Sequence, residues 1–425
     1  MRDADWVSVQ EACARILARV QPLASERVAL ADALGRTAAA DVRSPIDQPP
    51  WDNSAMDGFA ARAADVRGAA RERPVALRVV ERIPAGGFPA RAVGPGEATE
   101  IMTGAPIPEG ADCVIRIEHT ARSADGVAVV DDSDAGRNIR RRGEDWGAGA
   151  VVIEQGRTLR PSEIGLLAAV GCAHIEVHRA PRVAILSTGD ELADLDAFDE
   201  VMAGRKIANS NSWALAAAAR ATGCDADVLG IARDDAASLR DHLTRGLEAD
   251  ALVTTAGASV GAHDLVKDAL EALGMQIDFW RVQMRPGSPF SFGVIPRPGG
   301  PLPVFGLPGN PVSALVTFEV LVRPALRRML GRRAVHTRTV EVRAAERIES
   351  RPGLVHFLRV RLEPDGSGGW LARLTGPQGS GLITSMTRAD ALLVVPLDAE
   401  GVAAGARATA VRLAASDDVQ DVQGY

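Results

Sequence analysis

Three stretches of the chain put small residues and polar groups where a strand should end and a helix begin. They are "STGDEL" (187–192), "TTAGASVGAHD" (254–264) and "LPGNPVS" (307–313). Backbone N–H groups at such turns make good anion cradles. In the second stretch Gly257, Ser259 and Gly261 would let backbone approach a phosphate closely. The acid that follows needs a reason, because an acid beside phosphate repels it unless a cation lies between. Asp264, with Asp234 or Asp235 from "ARDD" and Glu191 from "TGDEL", could hold Mg²⁺ through a few oxygens. Taken singly, each acid is equally well explained as a helix N-cap or first-turn residue. Three such loops on one sheet favour chemistry.

Other polar runs are less decisive. "NSAMDGFA" leaves Asp57 in a turn-like stretch, and a local Asx turn would explain it. "NIRRRGEDW" sets Arg137, Arg140, Arg141 and Arg142 beside Glu144 and Asp145, which reads as a solvated face. "FWRVQMRPGSPFSFG" carries Arg281 and Arg285 four apart. On one extended strand they would share a face and could hold a second anion; two exposed hairpin arginines explain the spacing comparably well. No Ser-His-Asp or Cys-His arrangement emerges, and His263 beside Asp264 reads as a bystander. Cys13, Cys113, Cys172 and Cys224 form no CxxC pair, which argues against a zinc or redox motif and for a reducing cytoplasm.

These groups need a scaffold. A chain of 425 residues suggests two to four domains, and 46% hydrophobic with 24% charged residues is ordinary for a globular protein. A net charge of −7 lowers the expectation of a nucleic-acid partner. The N-terminus lacks a signal-peptide core, and no run is apolar enough to suggest a membrane helix.

Ser8 and Glu11 have capping-box spacing ahead of a first helix that runs through Val20. A Pro- and Asp-rich stretch breaks the pattern near residue 45, and residues 74 to 131 read as short strands of a small β domain. "RPSEIGLLAAVG" reads as a helix with Ser162 as cap and Gly171 as stop. From 181 strands alternate with helices, which indicates a doubly wound parallel sheet. Within it "NSWALAAAARATG" reads as a helix with an Asn cap and a Gly stop, and a long helix runs from about Val312 to Leu330. Residues 335 to 425 return to strands, as a small barrel or sandwich with a disordered tail.

In this order, "NSAMDGFA", "IMTGAPIPEGAD", "RRRGEDW", "STGDEL", "AGASVGAHD", "RPGSPFSFG", "GLPGNPVSA" and "GSGLITSM" closely resemble the molybdopterin molybdenumtransferase family, the bacterial MoeA proteins and the E domain of gephyrin. The resemblance runs from about Ser8 to Leu413. It implies a cytoplasmic homodimer of four-part subunits. These parts are a discontinuous helical and mixed domain (1–45 with 144–180), an inserted β domain (46–143), a molybdopterin-binding α/β domain (181–330) and a C-terminal β-barrel (331–425).

The implied activity is insertion of molybdenum from molybdate into adenylylated molybdopterin, with a divalent metal such as Mg²⁺ and release of AMP. The implied cleft lies between the α/β domain of one subunit and the inserted β domain of the other. The enzyme that adenylylates molybdopterin and the recipient molybdoenzymes are the implied partners, with no nucleic acid or membrane.

Carried over by motif, Asp57 and Thr103 would face the cleft, with Asp145 from the following linker. Glu191, Asp234 and Asp264 would surround metal and phosphate. Ser187, Thr188, Gly189, Pro308, Gly309 and Asn310 belong to the substrate loops, with Gly257, Ser259 and Gly261. Ser313, Arg359 and Ser380 would bind oxyanions. Many members carry lysines in the hairpin where this chain has Arg281, Arg285 and Ser288, which exchanges a compact ammonium for a planar fork. Two rival readings are molybdopterin adenylylation, since the 181–330 unit resembles that enzyme's fold too, and a scaffold of the same fold. The retained four parts and acids oppose them.

Overall fold

Runs of aliphatic residues without polar alternation become strands buried on both faces. In the computed structural model, which describes residues 6–123, 126–255 and 265–413, the strands Arg182–Thr188, Asp225–Ala232, Ala251–Thr255 and Leu302–Leu307 pair in parallel. The period of two along each strand feeds two separate cores. Val183, Ile185, Val253 and Phe305 point into one, beside Leu215 and Val316. Ala184, Leu186, Leu252 and Val304 point into the other, beside Leu239, Leu243 and Leu270. Helices therefore cover both faces, and the doubly wound α/β reading is correct.

The sheet has seven strands, in the order Trp6–Val7, Gln276–Val282, Pro289–Ile295, Leu302–Leu307, Ala251–Thr255, Arg182–Thr188, Asp225–Ala232. The Gln276–Val282 and Pro289–Ile295 strands form the expected antiparallel hairpin. Trp6–Val7 adds in parallel at the edge, a pairing that no local pattern announces. The helix that follows it, Val9–Arg19, is capped by Ser8 Oγ, which accepts from Glu11 N at 3.1 Å.

Several local expectations shift. The helix Ser210–Thr222 ends on Gly223 as expected, at φ +104°, but its cap is Asn209, two residues before "NSWALAAAARATG". The helix Pro161–Ala169 starts before Ser162, which lies inside its first turn rather than at the cap. The long helix from Pro311 to Met329 is continuous but contains a π turn at Phe318–Val322. Pro324 has no N–H to give the preceding turn, and the wider turn accommodates that gap.

Beyond this helix five strands close into a barrel: Thr339–Ala344, Val355–Pro364, Trp370–Leu374, Ala391–Val395 and Arg407–Arg412. Closure comes from the pairing of Val355–Pro364 with both Trp370–Leu374 and Ala391–Val395, so the barrel rather than the sandwich is found. Met284–Arg285 adds alongside in parallel to Val355 and His356. The expectation that Arg281 and Arg285 share one strand is therefore corrected. Arg281 lies next to the end of the hairpin strand of the seven-stranded sheet and Arg285 belongs to the barrel sheet. The chain changes partners at Gln283, whose N–H donates to Val7 O at 2.9 Å.

The chain forms two compact units. The α/β sheet and barrel lie in the first, with residues 1–39, 156–160 and 174–425; the second takes 40–155 and 161–173. The second unit is built on a six-stranded sheet ordered Cys113–Arg116, Gly58–Ala61, Glu97–Ile101, Val75–Ile83, Gly126–Val129, Thr120–Ser123. Its core includes Ala61, Leu77, Ala98, Ile115 and Val127.

Candidate functional site

The parallel strands of the first unit end together, and their loops occupy the carboxyl edge where open α/β sheets bind ligands. Ser187 is fully buried there, and its hydroxyl lies 2.8 Å from each of Asn209 Oδ1, Ser212 Oγ and Thr255 Oγ1. That hydroxyl joins the loop to its neighbours. Thr188 Oγ1 donates to Thr255 O at 3.5 Å. Gly189 sits at φ +139°, and any side chain there would collide with the Glu191 carboxylate folded over it.

Asp190 Oδ1 accepts from Asp234 N at 3.4 Å, so the loops after Arg182–Thr188 and Asp225–Ala232 meet. Asp235 caps the next helix by accepting from Ser238 N at 2.8 Å, which leaves Asp234 as the acid available for a ligand. Glu191 and Asp234 are exposed, and no ion pair joins either to a cation among the described residues. Among those residues no three acid, His or Cys groups cluster as a metal site. Gly257, Ser259, Gly261 and Asp264 lie outside the described residues.

A second assembly forms where the hairpin, the "LPGNPVS" loop and the barrel meet within the same unit. Pro308 is buried, and Gly309 and Asn310 are exposed. Asn211 Nδ2 donates to Gly309 O at 2.7 Å. Asn310 stands at the N-cap of the helix beginning at Pro311, yet its side chain makes no cap bond. Ser313 is buried in the first turn. Val312 N donates to Ser380 O at 3.0 Å, which ties this helix start to the "GPQGSG" loop.

Ser380, Arg359 and Arg285 line one pocket of about 910 Å³. Arg359 is wholly buried; its Nε donates to Ser385 Oγ at 3.0 Å and its Nη2 to Gly379 O at 3.1 Å. Its Nη1 is buried with no partner. Among the described residues no carboxylate pairs with the Arg359 side chain, and burial pushes its pKa down. A buried cation with an idle N–H, beside a second arginine and a hydroxyl, is suited to a tetrahedral oxyanion.

Arg281 is absent from this lining; its guanidinium stacks over Trp6 at 5.6 Å. The pocket also brings in Ser350, His356 and Gln378, which the sequence reading missed. His356 and Arg359 are three apart, a spacing that assigns them opposite faces of a flat strand, so the strand pattern does not announce that both line it.

In the second unit Asp57 and Thr103 meet. Asp57 Oδ1 accepts from both Thr103 N and Thr103 Oγ1 at 2.7 Å. The partner lies 46 residues away, so the aspartate is not fixed by a local Asx turn. The Thr103 backbone N–H, then its hydroxyl, hold the Asp57 carboxyl below the ordinary 3.8. The next residue, Gly58, lies so close to Ile115 O that a Cβ would collide with it.

The "RRRGEDW" arginines are partly neutralised. Arg141 Nη1 pairs with Asp52 Oδ2 and Arg142 Nε with Asp47 Oδ2, each at 2.6 Å. Backbone bonds, from Ala148 to Asp47 and from Arg142 to Asp52, are the first cause holding both carboxyls low. Asp145 is exposed, and its backbone N–H donates to Gln48 O at 2.9 Å. No hydrogen bond or ion pair joins it to Asp57 or Thr103 among the described residues.

Comparison with known proteins agrees with this layout. Residues 7–171 match the model of the MoeA N-terminal region (domain I and II). Residues 184–328 match a probable molybdopterin binding domain, and 341–413 the MoeA C-terminal region (domain IV). A molybdopterin molybdenumtransferase of Nostoc sp. is 35% identical, over 90% of this chain and 87% of its own length. Molybdopterin molybdenumtransferase 2 of Mycobacterium tuberculosis is 38% identical, over 89% of this chain and 92% of its own. The crystal structure of the molybdopterin biosynthesis MoeA protein from Pyrococcus horikoshii OT3 superposes with a TM-score of 0.83 at 30% identity, covering 96% of this chain and 100% of that one. Matches that run through all three regions favour insertion over adenylylation, and the chain belongs to the molybdopterin molybdenumtransferase family, the MoeA proteins.

Proposed function

We propose that this transferase inserts molybdenum from molybdate into adenylylated molybdopterin and releases AMP. The observation that carries the reading is the pocket in which buried Arg359, with an unpartnered Nη1, meets Arg285 and Ser380. Molybdate is a tetrahedral dianion, and fixed N–H and O–H donors can replace its hydration shell. Ser313, one turn into a helix tied to Ser380, and Asn310, with its free cap position, extend this surface toward the substrate's phosphates. The Ser187–Gly189 and Pro308–Gly309 loops shape the approach, and Gly257, Ser259 and Gly261 complete the substrate loops. Asp57, kept ionised by Thr103, orients a donor group of the substrate, and Asp145 supplies a further carboxylate.

The donor set fits a divalent metal such as Mg²⁺, because Glu191 and Asp234 offer hard oxygens with no cation already paired to them. With Asp264 they would hold the ion, which when bound neutralises charge on the phosphoanhydride oxygens. The four-part domain division and a cytoplasmic homodimer belong to the same proposal; four free cysteines accord with a reducing compartment. No helix among the described residues is long and apolar enough to cross a membrane. The enzyme supplying adenylylated molybdopterin and the recipient molybdoenzymes are its proposed partners.

The test incubates the protein with adenylylated molybdopterin, molybdate and Mg²⁺ and measures AMP and active cofactor. AMP and cofactor formed together support insertion. Failure to form either, with folded protein, removes the reading.

A further inference from the structure

The pocket holds one group that the arginines do not explain. His356 stands directly opposite Arg285 in the parallel pairing of Met284–Arg285 with Val355–Pro364. It is only 7% exposed. Its Nε2 is buried with no hydrogen-bond partner among the described residues. The Arg351 backbone acts on the ring in the sense that favours protonation, as a carbonyl does. With the neutral ring's one hydrogen on Nδ1, toward that carbonyl, Nε2 presents a bare lone pair.

Burial, then Arg285, push the ring's pKa below the ordinary 6.5. The charged groups of the surrounding wall are Arg285, Arg347, Glu349, Arg351 and Arg359. Arg347 and Glu349 are 3.5 Å apart and offset one another. On the neighbouring barrel strand the residue opposite His356 is Val395, which carries no charge. Net positive charge thus surrounds an imidazole that, while neutral, can only accept on its inner side.

A tetrahedral dianion changes both terms. It offsets the field of Arg285 and offers oxygens to which an Nε2–H could donate. Molybdate has no hydrogen of its own at neutral pH, so its oxygens meet a lone pair unless the ring is protonated. Monohydrogen phosphate brings an O–H that can donate to that lone pair. Resting on the reading of this pocket as the oxyanion site, we infer that His356 is a specificity-determining residue that takes up one proton when molybdate binds and none when monohydrogen phosphate binds. The proton comes from solvent, an Nε2–H bond forms, and no bond of the oxyanion breaks.

The sign follows from linkage. Molybdate raises the ring's pKa above its value in the free protein, so the gain is present at lower pH and is lost as pH rises through the bound-state value. Calorimetric titration of the full chain with sodium molybdate and with inorganic phosphate tests this, in two buffers of different ionisation enthalpy. The useful window is about pH 8 to 9, above the second ionisation of inorganic phosphate, where the monohydrogen form dominates and its own proton exchange is small.

The expected result is uptake of up to one proton per molybdate, with Kd rising by up to about tenfold per pH unit. Phosphate should show neither. His356→Gln should still bind molybdate but without proton uptake or pH dependence, and His356→Asn serves the same comparison if the Gln variant misfolds by circular dichroism. Molybdate binding without proton uptake, or uptake that persists in both variants, overturns the role of His356 and leaves the oxyanion pocket standing. Failure of the wild type to bind molybdate at any pH overturns the pocket reading and this inference with it.

Discussion

Arg359 carries a buried charge that has hydrogen bonds but no carboxylate, and this makes it the residue on which anion binding should depend most. A hydrogen bond to a charged group contributes roughly 1.5–3 kcal/mol, so Arg359→Gln should weaken molybdate binding about ten- to a hundredfold by calorimetry. Arg285→Gln should weaken it more than Arg281→Gln does, because Arg285 lines the pocket while Arg281 stacks on Trp6. Equal effects of the two would return the pair to a shared site. Asp57 offers a second measurement at this scale. Thr103→Ala keeps the backbone donor and removes the hydroxyl, so the Asp57 carboxyl should titrate closer to 3.8 when followed by NMR. An unmoved midpoint would show that the hydroxyl contributes nothing to holding the charge.

Elements place these residues through contacts that a linear pattern hides. Gly58 lets the strand Gly58–Ala61 lie against Cys113–Arg116, and a methyl group there meets Ile115 O. Gly58→Ala should cost about 1–3 kcal/mol in a denaturant melt, as overpacking does, and should disturb the neighbouring Asp57–Thr103 bonds. A melt indistinguishable from wild type would mean that the strands separate freely. The α/β sheet was legible in advance because strands alternate with helices from 181 and the apolar cores of "RVAIL" and "DALVT" fit burial on both faces. The barrel was legible as strands, but not its closure, which depends on pairings between distant segments. Asp57 was visible as an acid in a turn, while Thr103 could be joined to it only by family resemblance. The placement of Arg281 and Arg285 was misread because their even spacing hides the change of sheet at Gln283. His356 and Ser350 belong to no motif; the fold alone brings them to the pocket.

Across the whole molecule, two buried aspartates, Asp250 in the first unit and Asp134 in the second, tie stability to pH. Burial raises the Asp250 and Asp134 carboxyls, but Arg179 and Arg182 for the first, and Arg116 for the second, outweigh it and hold both below 3.8. Depressed folded values contribute stability that is fully present above the ordinary carboxylate range and drains away as pH falls through them. Urea midpoints should therefore lose this contribution below about pH 4. Asp250→Asn should cost about 2 kcal/mol at neutral pH and flatten that acid loss; an unchanged acid slope would exclude Asp250 as its source. The proposed homodimer makes its own prediction: light scattering should give twice the chain mass, and a monomer at all concentrations would remove it.

The division of the chain also bears on the order in which it folds during synthesis. Trp6 waits for Arg281 as its partner in the sheet, so this strand is placed only after a partner far later in the chain has been made. Residues 40–155 of the second unit are complete long before that. Gly35 N donates to Leu159 O and Ala38 N to Arg157 O, at 2.8 and 2.9 Å, so the two flanks of this insertion meet. Once folded, the insertion replaces a long flexible loop by a short connection, lowering the entropy lost in closing it. A folded insertion would thus keep residues 35–38 beside 157–159 before the later strands arrive.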